Sequence, residues 1–347
     1  MHFAYPGRKA SPPPYPVKQS HSTFAQLRRG NGWRPVTVAV IGGMGMLYLL
    51  WRLLSGGGGV YVPAGTPKAV VVTMFDADSS VAWRESIMDN RRDYASRHGY
   101  ATFFTNTTSY ALGPPSTPKS WSILPSLRHA MTTFPHTPYF FYLAPSALIM
   151  TPSLSLESHI LAPSRLESIM LTDRSVVPPD SVIKTFSHLK GGNIDFVLTQ
   201  DEKGLSRDSM IIRSGEWAKY LLDAWFDPLY RSYNFQKAER HALEHIVQWH
   251  GTILSKLALI PQRTMNSYMA PSSTSASSPA SKEGQYSEGD FIANFEGCEK
   301  RSVPQQMSEA ERKKKKLPPA KTENLCEKEM ERLLGRWREM VDREGRH

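Results

Sequence analysis

Cysteine is nearly absent from this chain of 347 residues: Cys298 and Cys326, both near the C-terminus, are the only two. That count excludes the cysteine-rich zinc modules. In an oxidising lumen the pair can close a disulfide, whereas in a cytosol both stay free thiols. A glycine-rich phosphate loop is also missing, because Gly42-Gly-Met-Gly45 lies inside an apolar run rather than between a strand and a helix. The 11 histidines form no spacing that argues for a Ser/His/Asp constellation, and His245 and His250 on either side of Trp249 are poorly spaced for a metal. Acidic residues are absent from 1–34, which carries Arg8, Lys9, Lys18, Arg28, Arg29 and Arg34. With the basic run Arg312 to Lys316, this arm accounts for the net charge of +10 and leaves the remainder near neutral. A nucleic-acid reader carries its positive charge on the folded face, so this distribution excludes nucleic acid as a partner.

What is present is an ordered series of segments. Residues 1–34, rich in proline, serine and basic residues, read as a disordered cytoplasmic arm. Val36 to Trp51 then runs without a charge for about 16 residues, just enough for a thin bilayer if Arg52 snorkels. The long basic lead-in and the lack of a small-residue cleavage site fit a signal anchor over 35–54 better than a cleaved leader, with a buried core helix as the other alternative. A single-pass type II membrane protein follows, with 55–66 as a stem and the rest of the chain lumenal.

The body starts with the β-branched run Lys68 to Phe75, typical of a buried parallel strand. A helix is expected over 81–98, stopped at Gly99, followed by a strand Tyr100–Phe104, a helix over 121–134 and a strand Tyr139–Leu143. Further strands are expected at Ile194–Thr199 and Asp208–Arg213, and helices at Trp217–Trp225 and Ala238–Trp249. The stretch 270–282 reads as a loose loop, and 301–347 as a charged tail finishing in a helix over 327–343. Alternating strands and helices in one body at 67–300 predict a doubly wound α/β sheet with its ligand at the strand carboxyl ends.

Asp76-Ala-Asp78 follows the first strand. Two carboxylates at that spacing chelate a divalent cation on a diphosphate, or else decorate a solvated turn. Asn106-Thr-Thr108 is a glycosylation acceptor sequence, usable where the region is lumenal. Residues 312–316 read as a solvated tail.

Several blocks together resemble glycosyltransferase family 34, the group of fungal α-1,2-galactosyl- and α-1,6-mannosyltransferases. They include Asn90 to Tyr100, Ala147 to Glu157, Glu216 to Tyr230, Ala242 to His250, Leu259 to Tyr268, Gly289-Asp-Phe291 and Gly297-Cys298. Within the family the likeness runs to subunits of the fungal Golgi α-1,6-mannosyltransferase (mannan polymerase) complex. The resemblance implies a GT-A-like nucleotide-diphospho-sugar transferase fold in the Golgi lumen. It also implies GDP-mannose as donor with Mn²⁺ as metal, a glycan acceptor on glycoproteins, and other complex subunits as partners. It implies donor contacts at Asp76, Asn90, Arg91, Asp93, Asp201, Gly204, Ser209, Gly289 and Asp290, and places the family's catalytic acidic-Gln pair at Glu239-Arg240.

The departures from the pattern are specific. Where the family has its metal-binding Asp-x-Asp, this chain has Leu143-Ala144-Pro145-Ser146, and where it has a metal-binding histidine, Asn294. Ala144 and Ser146 bring no charge to a divalent ion, and Asn294 is a weaker ligand than imidazole. No metal ligand set is therefore assigned, and Arg207 or Arg240 becomes the candidate for opposing a diphosphate's charge. Two readings follow: a hexosyltransferase unusual in its metal use, or a non-catalytic subunit of the same complex.

Overall fold

The computed structural model describes residues 33–55, 62–113, 117–177, 181–201, 204–233, 235–269, 283–295, 301–302, 322–323 and 325–344. The chain divides into two compact units, Met1–Tyr61 and Val62–His347. The first holds one described element, helix α1 (Trp33–Ser55), over the expected anchor. Val38, Ile41, Met44 and Leu47 on it are exposed. Among the described residues, however, no helix is long and apolar enough to cross a membrane, so the membrane-spanning part of the expectation is not seen. The expected loop at 270–282 and Cys298, with its pairing to Cys326, lie outside the described residues.

The second unit is built on a six-stranded sheet. In chain order it contains β1 (Ala69–Phe75), α2 (Val81–His98), β2 (Ala101–Asn106), α3 (Ile123–Thr133), β3 (Tyr139–Leu143) and β4 (Ala147–Ile149). There follow α4 (Pro163–Ile169), β5 (Phe196–Asp201), β6 (Gly204–Arg213), α5 (Glu216–Trp225), α6 (Pro228–Ser232) and α7 (Ala238–Trp249). The unit continues with α8 (Gly251–Leu254), β7 (Leu257–Ile260), α9 (Gln262–Met265), β8 (Ser267–Tyr268) and β9 (Ile292–Asn294). The short pair β10 (Arg301–Ser302) and β11 (Thr322–Glu323) precedes α10 (Leu325–Glu344).

The large sheet runs β2-β1-β3-β6-β5-β7. Alternation along each strand assigns its side chains to two cores. Val70, Val72, Phe140 and Tyr142 face α3, α5 and α7, while Ala69, Val71, Phe141 and Leu143 face Tyr94 and Ala95 of α2. Helices thus cover both faces, as expected of a doubly wound fold. The sheet is mixed: β6 pairs antiparallel with both β3 and β5, while the other pairs are parallel. Only two residues separate the end of β5 at Asp201 from the start of β6 at Gly204, too few for the crossover that parallel strands need. In consequence the carboxyl ends of β1, β3, β5 and β7 and the amino end of β6 share one edge.

The boundaries of α2 follow from its caps. Ser80 Oγ accepts from Trp83 N at 3.3 Å, and Gly99 closes the helix at φ +67°, where a side chain would be strained. A second sheet, β4-β9-β8, packs beside the first, with Ala147 opposite Asn294.

The expectation that the C-terminal tail stays outside the core also needs correction. Met330, Leu333, Leu334 and Trp337 of α10 recur at helical spacing and bury against Phe75, Ile87, Leu148 and Phe295. Arg338 Nη2 donates to Ser86 Oγ at 2.8 Å, and Arg97 pairs with Glu344. Trp337→Ala should therefore cost about 3–5 kcal/mol of unfolding free energy, visible as a lower urea midpoint of the full chain at unchanged slope. An unmoved midpoint would mean that α10 adds nothing to the folded body.

Candidate functional site

At the shared sheet edge, β5 and β6 lose register. Thr199 faces Ser206 but Leu198 faces Met210, which leaves Arg207, Asp208 and Ser209 outside the β5 ladder. Such a bulge re-aims side chains, and here it turns Arg207 and Asp208 into a buried polar centre. Arg207 Nη1 donates to Asp208 Oδ1 at 3.0 Å, and its Nε pairs with Glu239 at the start of α7. Glu239 also accepts from Ser120 Oγ, and its backbone carbonyl accepts from Trp225 Nε1 at 2.7 Å. At the next residue of α7, Arg240 Nη2 donates to Asp201 Oδ1 at 2.6 Å, with Glu244 Oε1 3.8 Å from its Nε. Lys237 Nζ stands 4.0 Å from the same Glu244 oxygen. The hydroxyl of Tyr268 lies 3.2 Å from Asp201 Oδ2 and 3.4 Å from Asp208 Oδ2.

This centre connects by hydrogen bonds to the positions of the missing metal ligands. Ser206 Oγ donates to Asp208 Oδ2 at 3.4 Å and accepts from Asn266 Nδ2 at 2.8 Å. Asn266 Oδ1 accepts from Asn294 Nδ2 at 2.7 Å, and Asn294 Oδ1 accepts from Ser146 Oγ at 3.4 Å. The pairing of β4 with β9 is what brings Ser146 to Asn294. Ala144 N donates to the Asp208 carbonyl at 2.7 Å. The three altered positions are thus gathered in one place, yet they supply a methyl group, a hydroxyl and a carboxamide, with no charge. That donor set does not fit a divalent cation, which takes carboxylate or imidazole ligands. Among the described residues no group of three or more His, Cys, Asp or Glu is placed to hold a metal ion.

The other expected site residues divide between this centre and the scaffold. Asp201 belongs to the centre. Gly204, at φ +119°, sits where a Cβ would run into the Glu244 carboxylate. Ser209 is buried opposite Leu143. Asn90 and Arg91 hold backbone instead: Asn90 Nδ2 donates to Ile149 O at 2.9 Å and its Oδ1 accepts from Ile149 N at 3.0 Å. Arg91, fully buried, donates to the carbonyls of Ala144 and Ala147, and burial pulls it down to about 9, with Tyr142 opposing. Asp93 pairs with Arg97 on the outer side of α2. Asp290 takes Arg263 in two bonds of 3.1 and 2.9 Å, and Gly289, at φ +96°, offers its carbonyl to Thr151.

Asp76 and Asp78 share Lys119 Nζ at 3.3 and 3.5 Å, a lysine-bridged pair rather than an open chelate. Burial alone would push the Asp76 carboxyl up, but Lys119 and the Thr107 hydroxyl together hold it below its ordinary value. Asn106 accepts from Thr108 N at 3.1 Å, capping the turn that follows β2. Sequence reasoning missed Tyr268, Asn266, Ser206 and Ser120. The first two lie in the block from Leu259 to Tyr268, but nothing in their spacing reveals the carboxylates they meet.

Two predictions follow from this geometry. Gly204→Ala combines a left-handed backbone with a clash against a buried carboxylate and should cost about 1–3 kcal/mol in denaturant unfolding. Burial drives the Glu244 carboxyl above its ordinary 4.5, although Lys237, Arg240 and His241 pull the other way. A raised folded value means that the carboxyl favours the fold below its unfolded value and that this share is lost as pH rises through the folded one. Glu244→Gln should therefore shrink the fall in unfolding free energy between about pH 4 and pH 7. An equal pH slope in both proteins would show that Glu244 is not desolvated.

Residues 65–304 match the model of the galactosyl transferase GMA12/MNN10 family. An uncharacterised α-1,2-galactosyltransferase of Schizosaccharomyces pombe is 31% identical over 71% of this chain and 72% of its own length. The probable α-1,6-mannosyltransferase MNN10 of Saccharomyces cerevisiae is 29% identical over 61% of this chain and 54% of its own. Across the curated relatives the matched part spans 54% to 72% of their length. Among solved structures, a glycosyltransferase involved in glycosylation of the PBCV-1 major capsid superposes at a TM-score of 0.44 and 12% identity, over 72% of this chain and 98% of that one. The family model covers well over half of the chain, which therefore belongs to the galactosyl transferase GMA12/MNN10 family, glycosyltransferase family 34.

Proposed function

We propose that the chain is a hexosyltransferase of the fungal Golgi α-1,6-mannosyltransferase complex, moving mannose from GDP-mannose to glycan chains on glycoproteins. The observation that carries this reading is family membership across the body, joined to a buried polar centre at the shared carboxyl-end edge, where open α/β sheets bind their ligands. A nucleotide-sugar donor suits that edge, since hydrogen-bond donors fixed there stabilise charge developing on a sugar and its leaving diphosphate. A body in the Golgi lumen is inferred from the likeness to subunits of the Golgi α-1,6-mannosyltransferase complex and from the basic segment at residues 1–34. Mannose is preferred to galactose on the likeness to the α-1,6-mannosyltransferase subunits.

A second reading has its own observation. The uncharged set Ala144, Ser146 and Asn294 favours a non-catalytic subunit that keeps the fold to hold or present acceptor within the complex.

The two separate on one assay. Full chain in membranes lacking the other subunits is given GDP-mannose or UDP-galactose with an α-mannoside acceptor, and products are weighed by mass spectrometry. A single added hexose from GDP-mannose is the expected result. No product from either donor, together with reduced transfer by the whole complex when this chain is removed, would replace the first reading with the second.

A further inference from the structure

The buried edge poses a charge problem. Four carboxylates, Asp201, Asp208, Glu239 and Glu244, converge there, and each is at least nine-tenths buried at its side chain. Asp201 and Asp208 come within 3.2 and 3.4 Å of one hydroxyl, that of Tyr268, which has a single proton to give. Buried anions so close together need counter-charge, since desolvated carboxylates are tolerated only when paired. In this family the divalent ion would be the expected source of positive charge at this edge. Ala144, Ser146 and Asn294 do not fit it, and Asn294 is tied through both ends of its carboxamide into the Ser146–Asn266 path.

The cations that are present are arginines, each joining different pieces of backbone. Arg207, from the bulge of β6, reaches Glu239 on α7, and Arg240, from α7, reaches Asp201 at the end of β5. Both therefore face the chain's own carboxylates, so neither stands open toward a diphosphate as the sequence suggested.

We infer that Arg207 and Arg240 are resident counter-ions that cross-link β5, β6 and α7, so that this centre keeps its geometry without a divalent cation and takes none up. The inference rests on the family reading, which locates the metal position, but it concerns the charge balance of the edge rather than transfer itself. A guanidinium suits the task because its planar fork pairs with two carboxylates at once and stays charged when buried.

The test uses the full chain and Mn²⁺ alone. Free Mn²⁺ is followed by the intensity of its electron paramagnetic resonance signal during titration, and thermal unfolding is recorded with Mn²⁺ and with a chelator. The wild-type chain is expected to leave the Mn²⁺ signal undiminished and to unfold at the same temperature in both conditions. The double variant Arg207→Gln/Arg240→Gln leaves the four carboxylates without their guanidinium partners. It should unfold at a temperature lower by at least several degrees, and added Mn²⁺ should recover part of that loss, since a ligand bound only to the native state stabilises it. The paired variant Arg207→Lys/Arg240→Lys keeps the charge and should lie between the two.

Stoichiometric Mn²⁺ uptake by the wild-type chain overturns the inference. So does a glutamine variant as stable as wild type, or one that Mn²⁺ does not help. If the glutamine variant folds only when Mn²⁺ is supplied, the inference stands. If neither the glutamine nor the lysine variant folds under any condition, the arginines act through shape and not charge, and the inference falls. Hexosyl transfer measured on the same samples keeps the two readings apart. Transfer that requires Mn²⁺ would overturn this inference and leave the transferase reading intact. No transfer, with Mn²⁺ unbound, would do the reverse.

Discussion

A buried guanidinium with no carboxylate partner among the described residues underlies the site edge. Arg91 is fully buried and spends its donors on the carbonyls of Ala144 and Ala147 and on the amide oxygen of its neighbour Asn90. Its Nε has no hydrogen-bond partner among the described residues, so the arrangement carries a desolvation cost that the surrounding structure must offset. What it secures is the path of the backbone between β3 and β4. Asn90 adds a clamp on both the N–H and the C=O of Ile149, so one turn of α2 fixes both ends of that crossover. Every later feature of the edge hangs on this crossover, because it sets where Ala144 meets the Asp208 carbonyl and where Ser146 meets Asn294.

From that anchor the polar centre follows by geometry. With the path after β3 fixed, β6 runs antiparallel beside it, and the bulge opposite Leu198 turns Arg207 and Asp208 inward. Helix α7 then enters with Glu239 and Arg240 on consecutive residues of its first turn, so one helix end supplies both an anion and a cation. Crossed pairing is the outcome: each arginine bonds a carboxylate on another element, and each pair closes the gap between sheet and helix. Pairs this buried contribute little net stability over apolar packing, but removing one partner of such a pair is costly. The centre therefore specifies one arrangement of the edge more than it strengthens the fold.

The sequence made the elements legible wherever local chemistry decides them. The β-branched run before Phe75, the Ser80 and Gly99 boundaries of α2, and the apolar stripe at Ala238–Trp249 all form within a residue or two of expectation. It failed where the decision is not local. The direction of β6 depends on the turn after Asp201, β7 and the β4-β9-β8 sheet are short apolar runs without a distinctive period, and α10 joins the core through contacts with residues as distant as Phe75. The site shows the same division. The resemblance located Ala144, Ser146, Asn294, Glu239 and Arg240 by block order, and the fold brings them to one edge. It also listed Asn90, Arg91 and Asp93, whose roles lie in backbone support and an exposed ion pair, because block order records position along the chain and not which way a side chain turns. Tyr268 and Asn266 could be recognised only once β8 was seen lying beside β9.

Two features of this chain make physical sense together. The uncharged set Ala144, Ser146 and Asn294 would, taken alone, leave the nearby Asp201, Asp208, Glu239 and Glu244 as a cluster of like charges in a poorly solvated place. Arginines at 207 and 240 would, taken alone, bring positive charge against a bound divalent ion. Each feature is costly without the other, and together they set two guanidinium charges against the four carboxylates. This counter-charge differs in kind from a metal ion's, however. A metal ion is delivered from solution, so in a metal site the charge of the edge depends on what is bound, and ligand binding is linked to its order. A guanidinium is covalently part of the chain, so the charge of this edge is settled when the protein folds. Any ligand this centre takes therefore meets arginines already engaged with the chain's own carboxylates, and its recognition rests on the hydrogen-bonding groups and shape that this pairing leaves.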